Sequence, residues 1–343
     1  MKIPMSTNDS LWWAEDVSKR LLLTVGVVAL MALTAGCMGI LSDSDDREDQ
    51  VEKVPEEANL LVHVDMGMLA DSETQELLEG LDEDEADEVD DTDDIFEEFE
   101  AETGLDLADA NQVLMFGSMA DDLDDPDLEA DDEFAFLVDA DWDVEELVEA
   151  IEAEDDFEFQ QTEFAGEEVL WEPVTVPEGE DELYIGVHDD DQIVVGVQSA
   201  VEASLAISYD GAEPVSGPVR DAFDDAQDGY VTFAMGMDDE AAGTGDPMVD
   251  QQLAMLDGMN AVSGTYYTSS GSVGVEMRMH FEETEQAEDI EGAINVMLSE
   301  FEQQMDPEEQ EMLDALDIAT DGSALVVTWE DSVQDLIELS EDA

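Results

Sequence analysis

Ninety-eight aspartates and glutamates stand against seven lysines and arginines in this chain of 343 residues, a formal charge of −91. At ordinary ionic strength that much like charge opposes a compact state. Acid-rich chains of low hydrophobicity commonly stay disordered. Here 43% of residues are hydrophobic, and they fall into periodic segments rather than being scattered. A folded body of this composition needs dense screening, and the Debye length is only about 3 Å near 1 M salt. The chain therefore reads as the protein of an extreme halophile. The same imbalance argues against nucleic acid as a partner, because phosphate binding rests on Lys and Arg. Anionic lipid surfaces are disfavoured likewise, which leaves the N-terminus to make any membrane attachment.

That N-terminus carries an address. Lys19-Arg20 precede the apolar run Leu21 to Ala35, which exits at Thr34-Ala35-Gly36-Cys37. A basic pair, an apolar core and a small-residue exit form the layout of a secretory signal. The last four residues resemble a lipobox, with Thr34, Ala35 and Gly36 as the cleavage motif and Cys37 as the lipidated residue. The pattern departs at Thr34, where Leu is usual. A second reading stays open: Leu21 to Leu41 carries no charge, and about 20 apolar residues suffice to cross a bilayer uncleaved. Both readings put the rest of the chain outside, since the basic pair precedes the run. Cys37 is the only cysteine, so an intramolecular disulfide and a thiolate metal cluster are both excluded.

Residues 38–57 are rich in Asp and Glu and read as a solvated tether ending at Pro55. Beyond it, β-branched apolar runs alternate with helical stripes. Leu60 to Val64 is a strand, and Ser72 opens a helix with capping-box spacing to Gln75. A short helix holds Ile95, Phe96 and Phe99. Val113–Met119 and Phe134–Val138 form a strand pair around an acidic loop. Asp143 caps a helix bearing Val144, Leu147, Val148 and Ile151. Hairpins follow about Ala165-Gly166 and Asp189-Asp190, and a helix starts at Ser199. Gly211 to Pro218 reads as a junction. A short helix over 219–226 then leads into the strand Tyr230–Ala234. Asp246-Pro247 opens a helix, and Ser270-Gly271 turns a long hairpin. An apolar stripe from Ile290 to Met305 marks the longest helix. A hairpin about Asp321-Gly322 and a helix from Ser332 close the chain.

The chain also repeats itself. Leu61–Met68 aligns with Tyr230–Met237, sharing Met-Gly-Met, and Val194–Glu202 aligns with Val326–Gln334. The hairpin Phe157 to Val174 lacks a counterpart in the second half. Hairpins interleaved with single helices define an α+β class of two tandem related halves, mainly antiparallel sheets covered by amphipathic helices. The expected division is a signal over 1–37, a tether over 38–57, one α+β domain over 58–212 and a trimmed repeat over 213–343.

Catalytic signatures are sparse. His63, His188 and His280 lie far apart in sequence, each in or at the end of an expected strand, and read as inert. No His-Glu-x-x-His, Gly-x-Ser-x-Gly or phosphate loop occurs. Asp139-Ala-Asp-Trp-Asp143-Val-Glu145 mimics the start of a calcium loop but lacks its glycine and runs into a helix. The runs Asp121-Asp122, Asp124-Asp125 and Asp189 to Asp191 read as hydrated loops, and the eighteen methionines as core filler. The expectation is therefore no catalytic residue, no metal and no cofactor.

Through its lipobox-like end, acid-rich tether and α+β repeats, the chain resembles uncharacterised haloarchaeal secreted lipoproteins. The resemblance implies a place, the exterior face of the cell membrane, and carries no catalytic residue. The expected function is a non-catalytic surface lipoprotein that meets another envelope protein or coats the membrane. The alternative is a small-ligand or cation-binding lipoprotein with a cleft between its halves, near Gly211 to Pro218.

Overall fold

Alternation of side chains sets the strands. In Leu60–Asp65 (β1), Leu61 and His63 point to one side while Val62 and Val64 point to the other, and all four are buried. A strand buried on both sides belongs in the middle of a sheet. The computed structural model describes residues 44–81, 105, 109–118, 133–154, 157–176, 182–188, 192–237, 258–302 and 315–342. Further strands in the first part of the chain are Ala110–Ser118 (β2), Glu133–Ala140 (β3), Glu158–Phe164 (β4), Glu167–Thr175 (β5), Tyr184–Val187 (β6) and Ile193–Gly196 (β7). The second part supplies Val231–Gly236 (β8), Met259–Ser269 (β9), Ser272–Phe281 (β10), Leu316–Asp321 (β11) and Ala324–Ser332 (β12).

These twelve strands form one sheet in the order β11-β12-β10-β9-β8-β1-β2-β3-β7-β6-β5-β4, antiparallel at every described pairing. The class is α+β, a large antiparallel sheet with helices packed on it. The boundary expected at 212/213 falls between two helices, yet the sheet runs through it. β1 pairs with β8, setting Leu60 against Met235, Val62 against Phe233 and His63 against Thr232.

Seven α-helices are described: Ser44–Val51 (α1), Ser72–Leu81 (α2), Val144–Glu154 (α3), Gln198–Asp210 (α4), Pro218–Asp225 (α5), Thr284–Glu302 (α6) and Val333–Asp342 (α7). A 3-10 turn spans Met66–Ala70. One face of the sheet carries α1, α4 and α5, whose Val51, Val201, Leu205, Val219 and Phe223 join Leu61, Leu137, Val194 and Ala234 in a core crossing both parts. The opposite face carries α2 and α7 over Val62, Val64, Val231 and Val273. Also on that face, α3 packs over Ile185, Ile193 and Val195, and α6 over Met279 and Leu325.

Some expectations need correction. Residues 44–57 are not a solvated tether. α1 occupies 44–51, Val51 and Val54 are completely buried, and the Val215 amide donates to the Val54 carbonyl at 2.8 Å. Two buried valines and the buried aliphatic stem of Lys53 outweigh the acids beside them, whose carboxylates stay in water. Asp71, not Ser72, caps α2, accepting from the Glu73 and Thr74 amides at 2.8 and 3.4 Å. α4 begins after Val197 with no side-chain cap. Asp143 does cap α3, accepting from the Glu145 amide at 2.9 Å. The turns Ala165-Gly166 (φ 51° and 98°) and Ser270-Gly271 (φ 54° and 91°) hold two successive left-handed residues, the geometry that matches strand twist in tight hairpins. The expected helices at Ile95–Phe99 and after Asp246-Pro247, the Asp121–Asp125 and Asp189–Asp191 runs, Met305, and Thr34 to Cys37 lie outside the described residues.

Candidate functional site

Gly217, at φ 78° and ψ −153°, holds a conformation closed to other residues, and Pro218 follows as the first residue of α5. The helix then repeats acids at i+3 and i+4, so Pro218, Asp221, Asp224 and Asp225 share one flank. That flank forms a wall of a cleft of about 370 Å³. The other wall is built from Asn260 of β9, His280 and Phe281 of β10, and Ser323 from the β11–β12 turn. The cleft lies within the second half. It shares Pro218 with the expected junction but does not separate the two halves.

Charge in the cleft is partly compensated. Arg220 donates through Nε to both oxygens of Asp224, at 2.9 and 2.8 Å. His280 sits 3.0 Å from Ser263 Oγ through Nε2. Burial pushes its basicity down, with Arg278 adding to the effect, while Asp225 and Asp221 pull it up. Asp221 and Asp225 supply the anionic side, Asn260 and Ser323 the hydrogen-bonding side. The arrangement suits a small cationic or donor-rich group. Among the described residues no group of three or more His, Cys, Asp or Glu side chains could hold a metal ion. The Asp139–Glu145 stretch is divided between structural tasks. Asp139 accepts from Gln192 Nε2 at 3.4 Å and from Asn111 Nδ2 at 3.1 Å, and Asp143 is the α3 cap.

A second polar constellation lies under α1, at the middle of the sheet. His63 is wholly buried and donates through Nε2 to Gln112 Oε1 at 3.1 Å. Burial holds its basicity at about 4 against an ordinary 6.5, with the nearby Arg47 guanidinium acting in the same direction and the Gln112 bond against it. Arg47 donates to Thr232 Oγ1 at 3.2 Å, pairs with Asp228 at 3.6 Å and lies 5.2 Å from the Phe223 ring centroid. Lys53 Nζ donates to Gln192 Oε1 at 2.8 Å.

His188 belongs to a third group. Ser204 Oγ donates to the Lys53 carbonyl at 2.8 Å, so it can only accept from His188 Nε2, 3.1 Å away. Nε2 therefore carries a proton, and Nδ1 lies 2.8 Å from Ser208 Oγ. A serine hydroxyl on an imidazole is a nucleophile–base pair in outline. Ser208, however, lies in the last turn of α4, where the surrounding amides are committed to the helix and supply no oxyanion donors. The group pins α4 to the segment after α1.

The three histidines, read from sequence as equivalent and inert, therefore have separate settings. Only His280 lines the cleft. The cleft acids Asp221, Asp224 and Asp225 were not distinguishable among so many carboxylates; the usable signal was their spacing on one helix flank. Among the described residues no helix is long and apolar enough to cross a membrane.

No protein-family model matches this chain, and no curated protein does. Several solved structures do. Crystal forms III, IV and I of TP0453 share 10% identity with it, with TM-scores of 0.42, 0.43 and 0.41. The matches cover 85%, 84% and 85% of this chain and 97%, 95% and 96% of those chains. A likeness at that level carries no residue and no role across. The fold itself defines the class: an α+β protein on a continuous twelve-stranded antiparallel sheet.

Proposed function

We propose that this is a non-catalytic surface lipoprotein of a halophile, held by its N-terminus on the exterior face of the cell membrane. Its role there is to meet another envelope protein or to coat the membrane. The observation that supports this is the Lys19-Arg20 pair, the apolar run and Thr34-Ala35-Gly36-Cys37, placed just ahead of a folded acidic body. The test is the intact mass of protein extracted from membranes: a lipid-bearing chain that starts at Cys37 supports the lipoprotein, whereas one that keeps its leader overturns the lipid and leaves the anchor as an uncleaved helix. A mature chain with neither lipid nor leader overturns the reading, as does turnover of a substrate by the purified body in high salt.

The body is read further as two tandem related halves. Among the described residues, the first runs α1-β1-β2-β3-α3-β6-β7-α4 once α2, the 3-10 turn before it and the hairpin β4–β5 are set aside; the second runs α5-β8-β9-β10-α6-β11-β12-α7. Their strand orders mirror one another about the β1–β8 pair. The shared Met-Gly-Met register places His63 on Thr232, and those two residues are themselves partners in the β1–β8 ladder. The last helices differ. α4 lies over Leu137 and Val194, whereas the corresponding positions of the second half are Arg278, His280, Val326 and Thr328, and α7 crosses to the other face.

The cleft favours a second reading, a lipoprotein that binds a small cationic ligand. Calorimetry with a series of organic ammonium ions in molar KCl tests it. Saturable heat that disappears on Asp221→Asn supports it, and heats no larger than dilution overturn it.

A further inference from the structure

Seven peptide steps separate Cys37 from Ser44, where α1 begins. Fully extended, they reach at most about 25 Å. From Ser44 onwards the chain is fastened to the body at several points. Arg47 reaches Thr232 and Asp228 in the second half of the chain, while Lys53 reaches Gln192 in the first. The Lys53 carbonyl accepts from Ser204, the Val54 carbonyl accepts from Val215, and Pro55 bridges to Pro214. Only four basic residues lie beyond Cys37: Arg47, Lys53, Arg220 and Arg278. Two of the four therefore dock this one segment onto both halves.

We propose that α1 is a clamp through which the N-terminal anchor holds the body against the lipid surface, so that the sheet works in apposition to the membrane and not at the end of a tether. The inference rests on the anchored reading of Cys37. If residues 38–57 were a free tether, about twenty residues of chain would let the body wander, with an r.m.s. reach of ~25 Å and a far longer maximum. With α1 docked, no more than seven peptide steps separate the anchor at Cys37 from the body. The partner is a bilayer surface, and the apposition depends on salt. A body of −91 charge is repelled from anionic headgroups until the Debye length is short.

The test uses the full chain reconstituted in vesicles of its own membrane lipids in molar KCl. Ser216→Cys places a dye beside Val215, at an exposed position, and the headgroups carry a quencher. Two further variants share that label. One has about thirty Gly/Ser residues inserted between Leu41 and Ser42, and the other combines Arg47→Ala with Lys53→Ala. The clamp requires strong quenching in the labelled parent, a severalfold loss on spacer insertion, and an intermediate loss in the double variant with the rest of the sheet still protected from hydrogen exchange. Equal quenching with and without the spacer overturns the clamp while leaving the anchor standing. Protein that fails to float with the vesicles overturns the anchor itself, and the clamp falls with it. Should the double variant fail to fold, the spacer comparison decides alone.

Discussion

His63 and Thr232 are partners across the β1–β8 ladder, and neither side chain reaches solvent. Two polar groups at the centre of a sheet are tolerated only when bonded. Thr232 accepts from Arg47, and His63 donates to Gln112. The imidazole can stay there only as the neutral form, because a second cation beside Arg47 in this layer would be both desolvated and repelled.

Acid should therefore destabilise the protein through His63. Its native pKa of about 4 lies below the ordinary 6.5. Between those values the unfolded chain binds a proton that the native chain does not, so stability rises with pH in that window. The contribution is fully present above 6.5 and is lost as pH falls through the native value, with a magnitude on the order of 3 kcal/mol. His63→Gln keeps a donor for Gln112 and removes the titration. In molar KCl, the denaturant midpoint of the parent should fall towards that of the variant, or below it, between neutral pH and pH 4. Parallel pH profiles for the two proteins would contradict this account.

His280 offers a spectroscopic check on the cleft. Burial lowers its basicity, and Asp225 and Asp221 oppose that effect. In Asp225→Asn the imidazole should titrate at lower pH than in the parent, followed by NMR of the ring protons. In Arg278→Gln it should titrate higher, since a nearby cation is gone. Opposite movements, or none, would show that the cleft is not assembled as described.

Two glycines separate close approach from simple chain freedom. A Cβ on Gly196 would lie 2.5 Å from the Phe134 carbonyl oxygen and 2.6 Å from Ala135 Cα, both backbone atoms that cannot step aside. Gly196→Ala should destabilise by about 3 kcal/mol, at the upper end of overpacking costs. Gly292, inside α6, has nothing within 4 Å of the corresponding position. Gly292→Ala should stabilise by about 0.5–1 kcal/mol through helix propensity. Thermal unfolding of both variants under one salt condition reads the two signs together.

Much of the sheet was legible because its strands carry dense, alternating apolar residues and its hairpins turn on Ala165-Gly166 and Ser270-Gly271. What hid α1 is its sequence, Ser-Asp-Asp-Arg-Glu-Asp-Gln-Val, which has no apolar stripe at helical spacing. Its docking depends on Arg47 and Lys53 finding partners 185 and 139 residues away, and no local pattern encodes such distances. The pairing of β1 with β8 was hidden for a similar reason. Either strand could have ended a separate sheet, and only burial on both faces tells a central strand from an edge. Carboxylates with work to do, such as Asp71 at a cap or Asp225 beside His280, look identical in sequence to those that only hold water.

Dilution should test the whole arrangement. A charge of −91 with four compensating bases beyond Cys37 leaves the native state strongly self-repelling. The unfolded chain spreads the same charge over a larger volume, so weaker screening penalises the native state more. At roughly 0.1 M salt the Debye length is ~10 Å, comparable to the spacing between packed elements, against ~3 Å at 1 M. Below roughly 0.5 M the body should unfold cooperatively, visible as loss of the far-UV circular dichroism of both sheet and helices. Because Arg47 of α1 is held by Thr232 and Asp228, and Lys53 just after the helix by Gln192, the α1 amides should lose hydrogen-exchange protection in the same salt range as β1 and β8, not earlier. Retention of the full spectrum in dilute buffer would mean that the acids are compensated within the fold, and the halophile reading would have to be given up.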